Sequence, residues 1–170
     1  MKKLQTLLPV IFMGIITVVS AQDVENDSPK EGWHLRGYYT LCNIVTEKEG
    51  YFRETFNEFG IAAERRRNRI RFNIKYTWDF KISKFQEYSL LYGREIPIYN
   101  KLTLDLYGGV FWINETEELH PKSFFELGIF RSDAVLKYQL TDDMFLGATG
   151  QLHISTYNIW FYGIQMQYKL

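Results

Sequence analysis

Residues 69–80 constrain the fold of this chain more than any other stretch, because polar and apolar residues alternate along it without an error. The sequence is RIRFNIKYTWDF, with polar residues at odd positions and apolar or aromatic residues at even positions. A period of two is typical of a β-strand, in which successive side chains leave opposite faces. The run exceeds the roughly five or six residues of a globular strand and reaches the about 9–11 that a tilted strand needs to cross a bilayer. It therefore predicts a membrane-spanning strand with one apolar and one charged face.

The same alternation recurs along the chain and predicts a total of eight strands. They span residues 32–42, 56–65, 69–80, 85–95, 101–113, 123–140, 144–154 and 157–170. Alternation slips at 131–133, where we expect a β-bulge or bend. Pro97 lies in a predicted turn at 96–100, where the chain should be unpaired because proline removes a ladder donor.

The predicted connections also alternate in length. Those after the second, fourth and sixth strands are short, whereas those after the first and fifth, at 43–55 and 114–122, are long and polar. Outer-membrane barrels show this asymmetry, with brief periplasmic turns and longer outer loops. We therefore expect both long loops to lie outside the cell.

Residues 1–21 have the parts of a secretory signal peptide. Lys2 and Lys3 form a basic start, residues 7–19 are apolar, and small residues precede a predicted cut after Ala21. The apolar run is short for a spanning helix, which needs about 20 residues, although an uncleaved anchor is the alternative. We expect residues 22–31 to form a disordered lead-in and residues 32–170 to form a single β-barrel domain.

Composition and charge narrow the class of protein. Removing two lysines with the signal peptide takes the formal net charge from zero to about −2, which gives no basic patch for nucleic acid. The single cysteine excludes an internal disulfide framework, and aromatic residues make up 17% of the chain, which suits a barrel with aromatic girdles. No later apolar run is as long as a helical span, so a membrane protein of this sequence must be a closed barrel. We predict an all-β, eight-stranded antiparallel up-and-down transmembrane β-barrel with a polar interior filled by side chains.

Alternation assigns many charged residues to the inner face of this barrel. Both signs occur in similar number, and each buried charge costs several kcal/mol in lost hydration unless it is paired. We therefore predict an ion-paired plug, with a polar conduit for a small solute as the alternative. The predicted inner charges are Arg36, Glu58, Glu64, Arg69, Arg71, Lys75, Glu87, Asp105, Glu126, Lys137 and Lys169, and His34 and His153 share their face.

Alternation alone does not say which face points inward. A soluble, lipocalin-like carrier in the periplasm would turn the apolar face inward. The charged face carries glycines, however, which a crowded lumen requires. Tryptophans also lie on the apolar face near the strand ends, where an interfacial girdle places them, and these are Trp33, Trp78, Trp112 and Trp160. Both features favour the membrane orientation.

One pair of residues has the spacing of a hydrolase. His153 and Ser155 share a strand face, as a Ser–His pair could. They resemble the His-x-Ser-Asn motif of the lipid A 3-O-deacylases, which are eight-stranded outer-membrane barrels with a carboxylate further along. Here Thr156 replaces the asparagine and no acidic residue follows Asp143, so the orienting acid is missing. We interpret His153 as a hydrogen-bonded structural residue and keep deacylase-like modification of lipid A as the alternative.

Two other polar features give no site. The three histidines, His34, His120 and His153, lack the spacing of metal ligands, so we predict no metal and no cofactor. The basic run at 65–67 is interpreted as a solvated turn. Basic runs at a barrel end can touch lipid phosphates or lipopolysaccharide, but the predicted topology puts this turn on the periplasmic side.

The second half of the chain resembles a known group. Residues 88–94 (YSLLYGR), 108–110 (GGV), 146–148 (LGA) and 162–170 (YGIQMQYKL) are similar to small uncharacterised outer-membrane β-barrel proteins of Gram-negative bacteria. The resemblance implies an eight-stranded barrel in the outer membrane and supplies no catalytic residues. The final residue, Leu170, differs from the phenylalanine or tryptophan that ends many such barrels.

These observations lead to one functional expectation. We expect an exported, non-enzymatic outer-membrane protein with a structural or surface-interaction role carried by the loops at 43–55 and 114–122. Its expected partners are outer-membrane lipids, lipopolysaccharide and, during biogenesis, the barrel assembly machinery, with no nucleic acid.

Overall fold

The computed structural model describes residues 32–45, 55–77, 83–117, 120–154 and 158–170. Every regular element in these ranges is a β-strand, and the eight strands are β1 Trp33–Val45, β2 Thr55–Arg65, β3 Asn68–Thr77, β4 Ser83–Tyr99, β5 Leu102–Glu117, β6 His120–Gln139, β7 Met144–Ile154 and β8 Asn158–Lys169. Each strand is antiparallel to its neighbours, and β1 pairs with β8 to close the barrel. Within those ranges the structure contains no helix with the length and hydrophobicity of a membrane span. The predicted eight-stranded, up-and-down antiparallel barrel is confirmed.

The two ends of the barrel differ in their connections. At the end where β1 starts and β8 finishes, here called the terminal end, turns at 66–67, 100–101 and 140–143 join the strands. These short turns follow the second, fourth and sixth strands, as predicted. The opposite end, here called the loop end, carries the other connections, which lie outside the described residues.

The prediction of a long loop at 114–122 is wrong. β5 continues to Glu117 and β6 begins at His120, and Thr116 is paired with Ser123 within this hairpin. Beyond a bilayer a strand does not need an apolar face, so the polar residues that favoured a loop are equally compatible with a paired ladder. The hairpin therefore extends as a ribbon past the loop end of the barrel.

The loop predicted at 43–55 is shorter than expected. β1 continues to Val45 and β2 starts at Thr55, which pairs with Asn43. The rest of this predicted loop, 46–54, lies outside the described residues.

Pro97, predicted to lie unpaired in a turn at 96–100, instead belongs to β4 and pairs with Thr103. The amide of Glu95 donates a 2.9 Å hydrogen bond to the carbonyl of Arg67. The nitrogen of Pro97, two residues further on, faces the same side, beyond Asn68, the first residue of β3. Proline removes no ladder bond at such an open edge, and the register shifts directly after it.

The irregularity predicted at 131–133 is a β-bulge that begins slightly earlier. Gly109 pairs with Arg131 and Phe111 pairs with Gly128, so two residues of β6 oppose one residue of β5. The extra residue exchanges the parity of inward and outward positions along β6. After the bulge, Arg131 points into the barrel.

Burial shows which face points inward. In β3, Arg71 has no exposed surface, whereas the neighbouring Phe72 is 42% exposed. In β8, Gln165 is buried and Ile164 is 63% exposed. The interior is polar and the outer face is apolar, as predicted for the membrane barrel and opposite to a soluble carrier.

The outer face has the layered composition of a transmembrane barrel. Among the outward-facing strand positions whose side chains are described, the charged ones are Arg65 and Arg94, and both lie near the terminal end. Arg65 is exposed, whereas Arg94 is only 5% exposed. Aliphatic residues, together with Phe59 and Phe72, occupy the middle of this face. Aromatic residues flank them, with Trp33, Tyr92, Tyr138 and Tyr168 toward the terminal end and Tyr76, Trp112, Trp160 and Tyr162 toward the loop end.

Gly93 makes room for the buried ring of Tyr107. A Cβ at Gly93 would clash with that ring and lie 2.5 Å from the carbonyl oxygen of Leu106. We expect Gly93→Ala to lower the free energy of unfolding by about 1–3 kcal/mol, because a packed interior tolerates extra volume poorly. Denaturant titration in lipid vesicles measures this loss. Gly150→Ala is the matched control, since nothing lies within 4 Å of its Cβ, and equal losses at both glycines would contradict the explanation.

Candidate functional site

The interior of the barrel contains two groups of charged side chains. Each combines three cations with three anions, so the formal charges cancel within each group of described residues. The terminal cluster lies toward the terminal end and consists of Arg36, Arg69, Lys137, Glu64, Glu95 and Asp105. The central cluster consists of Arg71, Lys75, Arg131, Glu58, Glu87 and Asp133.

Arg69 connects the terminal cluster. Its Nε lies 3.1 Å from Glu64 Oε2, and its two terminal nitrogens contact Asp105 and Glu95. Lys137 Nζ contacts the same two acids, at 2.9 Å from Asp105 Oδ2. The carboxylates therefore bridge cations that come from strands on opposite sides of the barrel.

Arg131 is the centre of the second cluster. Its Nε donates to Asp133 Oδ1 at 2.8 Å, and one terminal nitrogen donates to Glu87 Oε1 at 2.6 Å and to Ser89 Oγ at 2.9 Å. The other terminal nitrogen lies 2.8 Å from Glu58 Oε2 and 2.7 Å from Asp133 Oδ2. All three guanidinium nitrogens are thus bonded to acceptors in a fully buried position.

Arg71 packs against two tyrosine rings as well as against carboxylates of the central cluster. One terminal nitrogen lies 2.6 Å from Glu58 Oε1 and 3.1 Å from Asp133 Oδ2. Its guanidinium carbon lies 4.7 Å from the ring centre of Tyr38 and 4.8 Å from that of Tyr107. The cation is therefore held by two carboxylates and by two aromatic faces.

His153 completes the central cluster as a neutral group. Lys75 Nζ lies 2.6 Å from Gln151 Oε1 and 3.4 Å from His153 Nε2. A lysine ammonium only donates, so Nε2 must accept and the ring proton resides on Nδ1, which lies 2.8 Å from Glu87 Oε2. The neutral imidazole leaves the balance of three cations and three anions unchanged.

Large side chains close the lumen above and below the charges. Toward the loop end, Cys42, Phe56 and Phe161 form a buried apolar cluster, in which the two phenylalanine rings pack edge to face at 5.3 Å. Toward the terminal end, the guanidinium of Arg36 lies 4.8 Å from the ring centre of Phe145. Side chains therefore fill the described interior along its length.

The predicted inner charges have three different placements. Nine lie buried in the two clusters and are Arg36, Glu58, Glu64, Arg69, Arg71, Lys75, Glu87, Asp105 and Lys137. Lys169 is only half-buried, because it is the last residue of β8 and lies at the rim, so its assignment to the buried plug is corrected. Glu126 pairs with Ile113 in the ladder, but its side chain lies outside the described part of the structure.

Sequence reasoning missed three charges of the interior. Arg131 and Asp133 were hidden by the bulge that precedes them, although they share their parity with Lys137 after it. Glu95 was treated as a strand end, whereas β4 continues past it and its carboxylate contacts the terminal cluster. The signal for Arg131 and Asp133 was the regular alternation from 131 to 139.

The predicted tryptophan girdle is divided between the two ends. Trp33 is exposed at the terminal end and Trp160 is exposed near the loop end. Trp112 is half-buried and stacks on Tyr88 with ring centres 5.6 Å apart. Trp78 lies outside the described residues.

Of the His153–Ser155 pair, the structure describes only His153. His153 is 1% exposed and points into the barrel, so it does not face the region that lipid would occupy. Ser155 lies outside the described residues. Within the ranges that the structure describes, no group of three or more His, Cys, Asp or Glu side chains is arranged to hold a metal ion.

Comparison with solved structures identifies the fold. The chain is similar to the N-terminal β-barrel domain of OprF from Pseudomonas aeruginosa (TM-score 0.63, 12% identity, covering 81% of this chain and 97% of that chain). It is also similar to Neisserial surface protein A (TM-score 0.61, 10% identity, 81% and 97%) and to Ail, the attachment invasion locus protein of Yersinia pestis (TM-score 0.55, 11% identity, 81% and 97%). No protein-family model matches the sequence, and neither does any curated protein. The fold is therefore that of the eight-stranded outer-membrane β-barrels.

Proposed function

We propose that this protein is a non-enzymatic barrel of the outer membrane, exported by residues 1–21, that presents its loop end to the outside for surface interaction. The apolar outer face with aromatic residues toward both ends supports the membrane location. The interior supports a role other than transport, since paired charges and aromatic rings fill it. The proposed partners in the membrane are its lipids, lipopolysaccharide and, during biogenesis, the barrel assembly machinery.

The observation that carries the surface role is the extension of β4, β5 and β6 past the loop end. β6 first pairs with β7 at Phe130, so residues 120–129 are paired only with β5 among the described residues. At about 3.3 Å per residue this edge is roughly 30 Å long. An open edge offers backbone donors and acceptors to an added strand of a partner protein.

The names of two similar structures agree with this role. They are a surface protein and an attachment invasion locus protein. The lipid A deacylase-like alternative receives no support from the geometry, because the imidazole of His153 is buried among the charges of the central cluster.

Surface labelling of intact cells tests the proposed location and orientation. We expect an epitope tag inserted at 118–119 to bind antibody on intact Gram-negative cells, and the protein to stay in the membrane pellet after urea extraction. The same tag inserted in the turn at 140–143 is the matched control, and it should be labelled only after permeabilisation. Labelling of the control but not of the 118–119 tag on intact cells would reverse the proposed orientation, and release by urea would contradict the membrane location.

Mass spectrometry of lipid A separates the surface role from an enzyme. We expect the same acyl pattern with the protein, without it, and with its His153→Ala variant, because the buried imidazole has no access to lipid. A protein-dependent loss of an acyl chain that disappears in His153→Ala would overturn the non-enzymatic assignment.

A further inference from the structure

A groove of about 390 Å³ lies on the outer face at the terminal end. It crosses the first four strands, since Trp33 of β1 pairs with Arg65 of β2, Arg65 pairs with Asn68 of β3, and Ile70 pairs with Tyr92 of β4. The residues that line it are Trp33, Arg65, Arg66, Asn68, Arg69, Ile70 and Tyr92, of which Arg69 is buried and belongs to the terminal cluster. Its rim is therefore cationic, and its wall toward the middle of the barrel is apolar.

The rim cations differ from those inside the barrel. Arg65 and Arg66 are exposed, and no described acidic side chain lies within ion-pair distance of them. Each cation of the two inner clusters, by contrast, meets a carboxylate. The groove thus offers two guanidinium groups to an external anion, and a guanidinium suits the oxygens of a phosphate.

The backbone holds one of these arginines at a conformational cost. Arg66 has a φ of 58°, in the left-handed region that glycine adopts most easily. Residues other than glycine are uncommon in this region and depend on their surroundings to stay there. An arginine at this position of a two-residue turn therefore suggests that its side chain binds a ligand at the rim of the groove.

A neutral polar atom adds to the recognition. Asn68 Oδ1 is buried and has no hydrogen-bond partner among the described residues. Asn68 lines the groove beside the two arginines, and a turn of its amide toward the groove would bring this acceptor to a ligand. A headgroup with both a phosphate and a hydroxyl would then satisfy all three residues. Phosphatidylglycerol has both groups.

We propose that this groove binds the headgroup of phosphatidylglycerol, with its phosphate on Arg65 and Arg66 and its acyl chains along Ile70 and Tyr92. Trp33 and Tyr92 would lie at the level of the headgroups, where aromatic rings are favourable. The proposal rests on the membrane location proposed above. That topology puts the terminal end on the periplasmic side, so the lipid source is the inner leaflet.

Native mass spectrometry of the full chain, purified in detergent with added lipid, tests the proposal. We expect the protein to retain phosphatidylglycerol in preference to phosphatidylcholine with the same acyl chains. The Arg65→Gln and Arg66→Gly double variant should reduce this retention about 25-fold, from roughly fivefold per basic residue. Glycine suits the left-handed turn, and gel mobility before and after heating shows that each variant is folded.

Lys101→Gln is the matched control, because Lys101 is an exposed cation in another terminal-end turn and does not line the groove. It should retain phosphatidylglycerol like the unchanged protein. Equal retention of both lipids by the unchanged protein, or full retention by the double variant, would overturn the proposal. Displacement by excess inorganic phosphate would assign the groove to free oxyanions instead. Urea extraction from membranes is scored separately, so a wrong membrane location is distinguished from a wrong lipid.

Discussion

Replacing Arg131 by methionine is expected to lower the free energy of unfolding by about 3–5 kcal/mol. The change removes the cation that contacts Glu58, Glu87 and Asp133, and all three carboxylates are buried. A buried ion network that loses one partner retains charges without compensation, and this penalty exceeds the value of the lost contacts. Reversible denaturant unfolding in phosphatidylcholine vesicles measures the loss.

Two variants make this result specific to the buried network. Arg65→Met removes the same side chain from the exposed rim and should change the free energy of unfolding by less than about 0.5 kcal/mol in those vesicles. Arg131→Met combined with Glu58→Gln leaves two cations with two anions in the central cluster and should recover part of the loss. A double variant that is as unstable as the sum of both single variants would contradict the coupling. Stability of Arg131→Met equal to that of the unchanged protein would contradict the role of the cluster.

The faces of the strands were predictable because the period of two does not depend on pairing. Whichever strand lies beside β3, Arg71 and Phe72 must leave opposite faces. Alternation separates a polar face from an apolar face, and the glycines on the polar face and the tryptophans near the strand ends indicated that the polar face points inward. The same information also limits the number of strands, since every segment of this kind must join a closed barrel in lipid.

The ends of the strands were less predictable, because polar residues occur both in loops and in paired strands outside a bilayer. The segment at 114–122 has acidic residues and a proline, yet most of it is a ladder between β5 and β6. Pro97 was misjudged for a related reason. Sequence does not show that β4 extends past Asn68, the first residue of β3, which leaves an open edge beside Pro97.

The contacts of the interior could not be predicted from alternation. Arg69 contacts Asp105, which lies two strands away, and this pair depends on the curvature of the closed barrel. Arg71 is opposite the small side chain of Ala62, which leaves space for it to reach Glu58 and Asp133. A single inserted residue in β6 decides that Asp133 points inward at all. Parity gives the face of each residue, but only the register and shear of the barrel give its partners.

Placing an arginine at Ile164 is expected to cost about 2–4 kcal/mol of unfolding free energy in lipid vesicles. Ile164 is outward-facing, 63% exposed, and lies midway along β8 between Trp160 and Tyr168. If those aromatic residues mark the two membrane interfaces, Ile164 lies at the midplane, where a cation on the lipid face is most costly. The measurement is equilibrium denaturant unfolding of protein inserted in phosphatidylcholine vesicles.

Tyr168→Arg provides the comparison that separates lipid from water. It lies on the same face of the same strand but at the expected interface, so its arginine should cost only about 0–1 kcal/mol. On a surface bathed by water, both substitutions would stay within about 0.5 kcal/mol, because exposed positions tolerate charge. A large loss at Ile164 with a small loss at Tyr168 is therefore specific to a barrel whose apolar face meets hydrocarbon. Small losses at both positions would leave the fold intact and overturn the proposed membrane location.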